Sequence, residues 1–435
     1  MRKLFWGGIH PEGHKALSRG AAPIPAPLPA QVVLPMIQHI GAACTPVVKV
    51  GDQVKMGQKI GDGQGICAPI HASVSGKVVA VEPRPHPGGS EALSVVIEND
   101  YTDTPDDTLK PHLTHQDLSG DEILRIIRDA GIVGMGGAAF PTDVKAFSAL
   151  GQVDYVIINA CECEPYITAD DTLICTYPEQ VIRGTETLIH TLAPKHTVIA
   201  IEDNKQEAIR ILRDALPKDS SIELRVLPTR YPQGAEKQLI QAVTNRQVPP
   251  GKLPAAVGCA VFNAATAAAV YQAVYEGKPV TRRIVTVTGD GAAAPKNMIF
   301  RIGTTFGQAI DAAGGMTEDT QKVLSGGPMM GLAQKDLAVP VLKGTNAILC
   351  LKATVPQSKT QTCIRCAKCV SVCPMHLQPL YLYRFEQAGN WKELEKLHLS
   401  DCIECGSCSY TCPAQLPLVE RFRAGKQQLK EAKKA

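Results

Sequence analysis

A duplicated cysteine run near the end of the chain constrains it most: Cys363, Cys366, Cys369 and Cys373 followed by Pro374, then Cys402, Cys405, Cys408 and Cys412 followed by Pro413. This is the C-x2-C-x2-C-x3-C-P spacing of bacterial ferredoxins, in which three thiolates converge on one cubane and the fourth cysteine ligates the other cluster. The spacing therefore implies two [4Fe-4S] clusters, one on Cys363, Cys366, Cys369 and Cys412, the other on Cys402, Cys405, Cys408 and Cys373. Thiolates also suit zinc, but four cysteines closed by proline, and then duplicated, argue for iron and sulfide. The chain reads as an electron carrier. The stretch between Cys373 and Cys402 is longer than a minimal ferredoxin needs and predicts helices with Leu394 and Leu397 on an apolar face.

Eight of the fifteen cysteines fall in these runs, and no apolar N-terminal signal precedes them, so a reducing cytoplasm fits better than a disulfide scaffold. Cys44, Cys67, Cys175, Cys259 and Cys350 read as small buried apolar residues. A length of 435 residues suits two to four domains, and a net charge of +3 does not imply nucleic acid. The one dense basic stretch, Arg421 to Lys434, reads as a solvated helix end. The alanine-rich window Ala255 to Val274 is interrupted by Asn263, Thr266 and Gln272, and reads as a buried helix, not a membrane span.

Between Val47 and Val81, β-rich pieces (Val47 to Asp52, Val54 to Gln58, Val74 to Val79) alternate with glycine turns, as in the flattened barrels of lipoyl-type carriers. Those carriers present an acceptor lysine on a hairpin, whereas Gly61 to Pro69 fills that place without lysine, which leaves a structural role. Ser119 and Glu122 form a capping-box pair ahead of a helix that Gly131 stops. Strands at Tyr155 to Ile158, Val198 to Ile201 and Ile222 to Leu227 then alternate with helices at Val181 to Leu192 and Ala208 to Leu216, the pattern of a parallel sheet covered by helices. A short β-rich unit follows, from Ile284 to Thr288 through Val323 to Gly327, and a polar linker at Lys352 to Thr362 leads to the cysteine runs.

After the capped helix, Gly134-Met135-Gly136-Gly137-Ala138-Ala139-Phe140-Pro141-Thr142 forms a glycine loop whose amides can approach a phosphate or a flat ring. Asn159-Ala160-Cys161-Glu162-Cys163-Glu164-Pro165 follows the strand at Tyr155, and the carboxyl ends of parallel strands are where such sheets bind ligands. Glu162 and Glu164 also admit a plainer reading as exposed loop acids.

The segments 134–145, 159–165, 231–239 and 262–274 together resemble the flavin- and NADH-binding subunit of respiratory complex I. With the barrel-like N-terminal region, Gly7 to Pro11 and the terminal cysteine runs, nearly the whole chain resembles the RnfC family of Rnf electron-transport complexes. The resemblance implies FMN on Gly134, Gly136 and Gly137, with Asn159, Glu162, Asn263 and Thr266 around it. It implies that Lys145, Glu164, Tyr231 and Glu236 line an NAD(H) pocket. The pattern departs from complex I at Met135 (arginine there), Cys161 (aspartate), Cys163 (serine) and Ala235 (glutamate).

The implied architecture is multidomain α/β: a barrel-sandwich-like β domain in 1–112, a Rossmann-like flavin/NADH domain in 113–280, a small β-grasp-like, soluble-ligand-binding domain in 281–350, and a two-cluster ferredoxin-like domain with the basic tail in 351–435. The implied function is exchange of hydride between NAD(H) and FMN and passage of single electrons through two clusters, coupled to ferredoxin. The location implied is peripheral, on the cytoplasmic face of the bacterial inner membrane, with membrane subunits as partners. A soluble corrinoid-reducing flavoprotein and an electron-relay adaptor without catalysis are the alternatives.

Overall fold

The computed structural model describes residues 5–352 and 362–432. The linker expected at Lys352 to Thr362 lies almost wholly outside the described residues, as does the end of the basic tail.

The central unit follows from four short apolar runs. Tyr155–Ala160, His196–Glu202, Ile222–Leu227 and Cys259–Asn263 pair in parallel, in the spatial order third, second, first, fourth. An all-parallel sheet must be covered on both faces, and side chains alternate between them. Val156, Ile158, Ile199 and Ile201 pack with helices Gly120–Asp129, Pro178–Leu192, Gln206–Ala215 and Ala264–Glu276. Ile157, Val198 and Ala200 face the other way, onto Leu239, Ile240 and Val243 of helix Glu236–Thr244. The expected capping box is present: the Ser119 hydroxyl accepts from Glu122 N and the Glu122 carboxylate accepts from Ser119 N.

The alanine-rich window is not one helix. It holds a 3-10 turn at Pro254–Val257, the fourth strand of the sheet, and only then the helix. A five-residue apolar run such as Cys259–Asn263 has no periodicity that separates buried strand from buried helix, and Gly258, at φ +67°, breaks the chain direction before it. The small side chains have a packing use: a Cβ on Gly184 would come 1.8 Å from Ala267 O, so the helices at 178–192 and 264–276 meet almost backbone to backbone.

The N-terminal β unit has a four-stranded sheet (Gln31–Pro35, Glu91–Asn99, Gly76–Pro85, Gln53–Val54) and a three-stranded one (Thr45–Pro46, Lys59–Asp62, Ile70–His71). The β-rich piece expected at Val47 is mostly turn. Asp52 Oδ2 accepts from Lys49 N at 2.9 Å and Lys49 O accepts from Asp52 N at 3.1 Å, which closes the turn, and Val47 and Val50 stand 58% and 59% exposed. The third unit is a mixed six-stranded sheet built on Arg282–Thr288 and Ala347–Lys352, whose far edge is Ile24–Pro25 from the N-terminal region.

In the last unit, helices Pro379–Gln387, Trp391–Lys396 and Leu418–Ala432 enclose the cysteine runs. Leu394 is fully buried and Leu397 packs at its edge, as the sequence predicts. The basic tail is more than a solvated end. Leu418, Phe422 and Leu429 recur at helical spacing and are buried, each contributing about 1.5–3 kcal/mol, while Arg423 and Lys426 reach Glu404 within the second cysteine run at 2.9 and 2.7 Å. Among the described residues no helix is long and apolar enough to cross a membrane.

Candidate cofactor sites

The sheet order places its switch point between the first and fourth strands, and Asn159 and Asn263 pair there in register. Ligands bind at such a point, beyond the strand ends. The glycine loop arches over it, closed by Gly134 N to Phe140 O at 2.8 Å and Ala139 N to Gly134 O at 3.1 Å. Gly137 has φ +109°, and a Cβ there would meet no protein atom within 4 Å, so its free side faces open space. At Gly136 a Cβ would sit 3.5 Å from the Asn263 side chain, an ordinary contact.

Around the loop the side chains are committed to one another. Asn263 caps its helix by accepting from Ala265 N and donates from Nδ2 to Asp170 Oδ2 at 2.6 Å. Asn159 donates to Gly234 O and accepts from Cys161 N. Thr266 is 1% exposed and its hydroxyl accepts from Met135 N at 2.9 Å, so it holds the loop from beneath, where the resemblance implied a place around the flavin. Glu162 is no exposed acid: Oε1 accepts from Asp170 N, while Oε2 is buried without a hydrogen-bond partner, 4.0 Å from Lys15 Nζ. Burial raises its carboxyl despite the ammonium of Lys15 nearby, and burial together with Lys205 lowers Lys15. Buried Arg283, from the six-stranded sheet, donates to Met135 O at 3.1 Å and keeps an unpartnered Nε. Orphaned polar atoms beside an open-sided glycine loop at a switch point fit a polar, flat ligand such as FMN.

Glu164 and Tyr231 take different places from those the resemblance implied. Glu164 accepts from Met329 N at 3.1 Å and Met330 N at 2.9 Å, in the turn after strand Thr320–Ser325. Tyr231 is 2% exposed and donates its hydroxyl to Cys405 O at 2.8 Å. Its backbone pairs with Ile9 (2.8 and 2.9 Å), and Gly8 N reaches Val372 O at 2.8 Å. Both side chains thus make contacts at a junction between three units. Lys145 and Glu236 remain half exposed but bind each other at 2.6 Å.

The two cysteine runs have matched backbones. Arg365 and Glu404 (both φ 56°), Ala367 and Gly406 (59° and 77°), and His376 and Gln415 (56° and 51°) all take left-handed conformations. Cys369 lies among Cys412, Cys363 and Cys366, and burial with these neighbours pushes its thiol up to about 11. Cys402 and Cys408 neighbour Cys405 and Cys373, and the four line one cavity. Amides of Leu377 and Glu404 point at Cys373 and Cys402 sulfurs, each at 3.4 Å. Thiols gathered in fours can give up their protons to one cationic cluster core, so by their convergence both sets fit iron-sulfur ligation. Of the cysteines read as buried apolar residues, Cys175 is only partly buried.

Sequence reasoning missed Lys15, Asp170 and Arg283. Lys15 Nζ donates to Glu162 O and Glu164 O at 2.9 Å and to Ile167 O at 2.5 Å, pinning the acidic loop from 147 positions away. No local pattern marks such contacts. The Met135 departure was the available signal for Arg283, since an arginine missing from the loop invites one from elsewhere.

Four family models match: the RnfC barrel sandwich hybrid domain at residues 3–102, the Nuo51 FMN-binding domain at 127–272, an SLBB domain at 284–333 and a 4Fe-4S dicluster domain at 362–416. The chain is 46% identical over 431 residues to the C subunit of the Na⁺-translocating ferredoxin:NAD⁺ oxidoreductase complex of Acetobacterium woodii, covering 98% of this chain and 97% of that protein. It is 43% identical to the C subunit of the proton-translocating complex of Clostridium ljungdahlii, covering 91% and 87%. With the C subunit of the ion-translocating oxidoreductase complex of Serratia proteamaculans it shares 43% identity over 98% of this chain but 61% of that protein. Among solved structures, an NAD⁺-reducing [NiFe]-hydrogenase in the H2-reduced state shares the fold, with TM-score 0.53 and 21% identity over 76% of this chain and 64% of the other.

Proposed function

Because the chain belongs to the RnfC family of ion-translocating ferredoxin:NAD⁺ oxidoreductase complexes, we propose that it exchanges hydride between NAD(H) and FMN and conducts electrons inward through the Cys402 set and outward through the Cys363 set. The glycine loop would hold FMN, whose chemistry would supply the change from a two-electron hydride to the single electrons that cubanes accept. The observation that carries this order is the hydrogen bond from Tyr231 to the carbonyl of Cys405, which ties the flavin unit to the second ligand set. Cys366 of the first set is exposed and offers the outlet toward a ferredoxin-type partner.

Gly134, Gly136 and Gly137 cradle the flavin in this reading, with Asn159, Glu162 and Asn263 as its polar surroundings and Thr266 as the loop's support. Lys145 and Glu236 border the nicotinamide nucleotide, while Glu164 and Tyr231 act at the junction. Divisions near residues 112, 280 and 350 separate barrel-sandwich, Rossmann-like, β-grasp-like and ferredoxin-like units. The protein is peripheral to its complex, on the cytoplasmic side of the bacterial membrane.

Flavin and iron content of the anaerobically isolated chain test this. Wild type carries one FMN and about eight irons. Gly137→Val places a branched side chain into the open face of the loop, at a φ that costs such a residue about 1–2 kcal/mol, and abolishes flavin while sparing iron. Full flavin occupancy in the variant means that the loop is not the flavin site.

A further inference from the structure

Two loops of the N-terminal β unit meet at a cluster that neither cofactor site uses. His39, Cys44 and Cys67 are all buried, and their ligand atoms lie within 4.8 Å of one another. Cys44 Sγ is 3.2 Å from Cys67 Sγ and 3.8 Å from His39 Nε2. Cys67 belongs to the Gly61 to Pro69 stretch, which stands where lipoyl-type carriers keep their lysine. We propose that His39, Cys44 and Cys67 bind a thiophilic closed-shell metal ion, zinc, which staples the loop before Thr45 to the loop before Ile70.

The donor chemistry fits: two thiolates and one imidazole are zinc ligands, at about 2.3 Å for sulfur and 2.0–2.1 Å for nitrogen. Binding displaces one proton from each thiol, so two Cys-SH and Zn²⁺ give a neutral zinc dithiolate and two protons. His39 Nδ1 lies 3.4 Å from Ile40 O, which favours the proton on Nδ1 and leaves the Nε2 lone pair toward the cluster. That lone pair otherwise accepts from Ala68 N at 3.1 Å, a contact the ion would replace.

The loops are already pressed together. Ala42 N donates to Ile66 O at 2.9 Å, a Cβ on Gly41 would fall 2.1 Å from Ile66 O, and one on Gly63 would fall 2.9 Å from Cys67 Sγ. Lys343, which precedes strand Ala347–Lys352 of the six-stranded sheet, is buried beside them. Its ammonium donates to Pro69 O at 2.5 Å and Gly131 O at 2.8 Å, and it makes no carboxylate ion pair among the described residues. A bound Zn²⁺ neutralises both thiolates by itself, and the Lys343 ammonium stays held by its two carbonyl acceptors. A simple dithiol with a hydrogen-bonded histidine is the competing state.

Metal analysis of the full chain, isolated anaerobically with its clusters, separates the two. The expected result is about one zinc beside about eight irons, either as isolated or after one equivalent of Zn²⁺ and gel filtration. Cys44→Ser should lose the zinc and keep iron and flavin. Should that variant not fold, zinc-edge X-ray absorption on the unsubstituted chain replaces it, with two sulfurs near 2.3 Å and nitrogen near 2.0 Å expected. Zinc absent under both conditions, zinc retained at full level in Cys44→Ser, a sulfur-only shell, or a Cys44–Cys67 disulfide found by peptide mapping would each overturn the proposal.

Discussion

The two cysteine runs share their spacing and their left-handed backbone positions, yet their surroundings are opposite. In the first, Cys366 is exposed and Cys363 and Cys369 are partly buried; in the second, Cys405 and Cys408 are buried, as is Cys373, which the first run lends to it. The N-terminal segment seals that second set so closely that a Cβ on Gly7 would come 2.8 Å from the Cys373 carbonyl carbon. Spacing decides which cofactor is bound. Burial is what sets the two runs apart.

The sharpest contrast is in stability. Cys366→Ser and Cys405→Ser should each leave about four irons, but only the second removes a ligand at the three-unit junction. Loss of ligation there costs on the order of several kcal/mol of coupled folding energy. Limited proteolysis should release the 362–432 unit readily from Cys405→Ser and slowly from Cys366→Ser; equal release would erase the distinction between the runs.

Tyr231→Phe is milder. It deletes the hydroxyl that reaches Cys405 O and leaves that carbonyl without its side-chain partner, worth about 1 kcal/mol. Thermal unfolding of the cysteine-rich unit should shift down by a few degrees, with iron content unchanged.

Acidity acts on the same junction. Burial pushes Glu164 from its ordinary 4.5 up to about 7, against the Met329 and Met330 amides that pull it down. A carboxyl with a raised folded pKa holds its proton better in the folded state, so its contribution is full below about 4.5 and is lost as pH rises through about 7. Melting scans should show the junction weaker at pH 8 than at pH 6, and Glu164→Gln should flatten that difference.

How much of this was readable in the sequence follows the range of the interactions. The capping box and the alternation around the parallel sheet rest on spacings of a few residues, and each has its counterpart in the structure. Glu164, Tyr231 and Thr266 were drawn toward ligands by resemblance; Glu164 and Tyr231 find partners in other units, Met329 and Cys405, and Thr266 finds the loop amide of Met135, 131 positions away. Sequence spacing carries no information about a bond between residues 231 and 405. The strand at Cys259–Asn263 was hidden because a short buried run has no period to read.

Glu236→Gln should have the smallest effect and leave both runs untouched. Its charge is shared with Lys145 at 2.6 Å, so it repels the extra phosphate of NADPH less than a free carboxylate would. The substitution releases the Lys145 ammonium, and rates of flavin reduction should show NADPH improving by a few fold relative to NADH, about 1 kcal/mol or less. An unchanged ratio would place nucleotide choice elsewhere.

Electron passage through the Cys402 set before the Cys363 set is tested by anaerobic stopped-flow mixing of NADH with the two cysteine variants, following flavin and cluster absorbance separately. In Cys366→Ser, which keeps the Cys402 set, flavin bleaching should be followed by reduction of the remaining cluster at the wild-type rate. In Cys405→Ser the flavin should bleach while the remaining cluster lags far behind. Prompt cluster reduction in Cys405→Ser, with delay in Cys366→Ser, would contradict the assigned order.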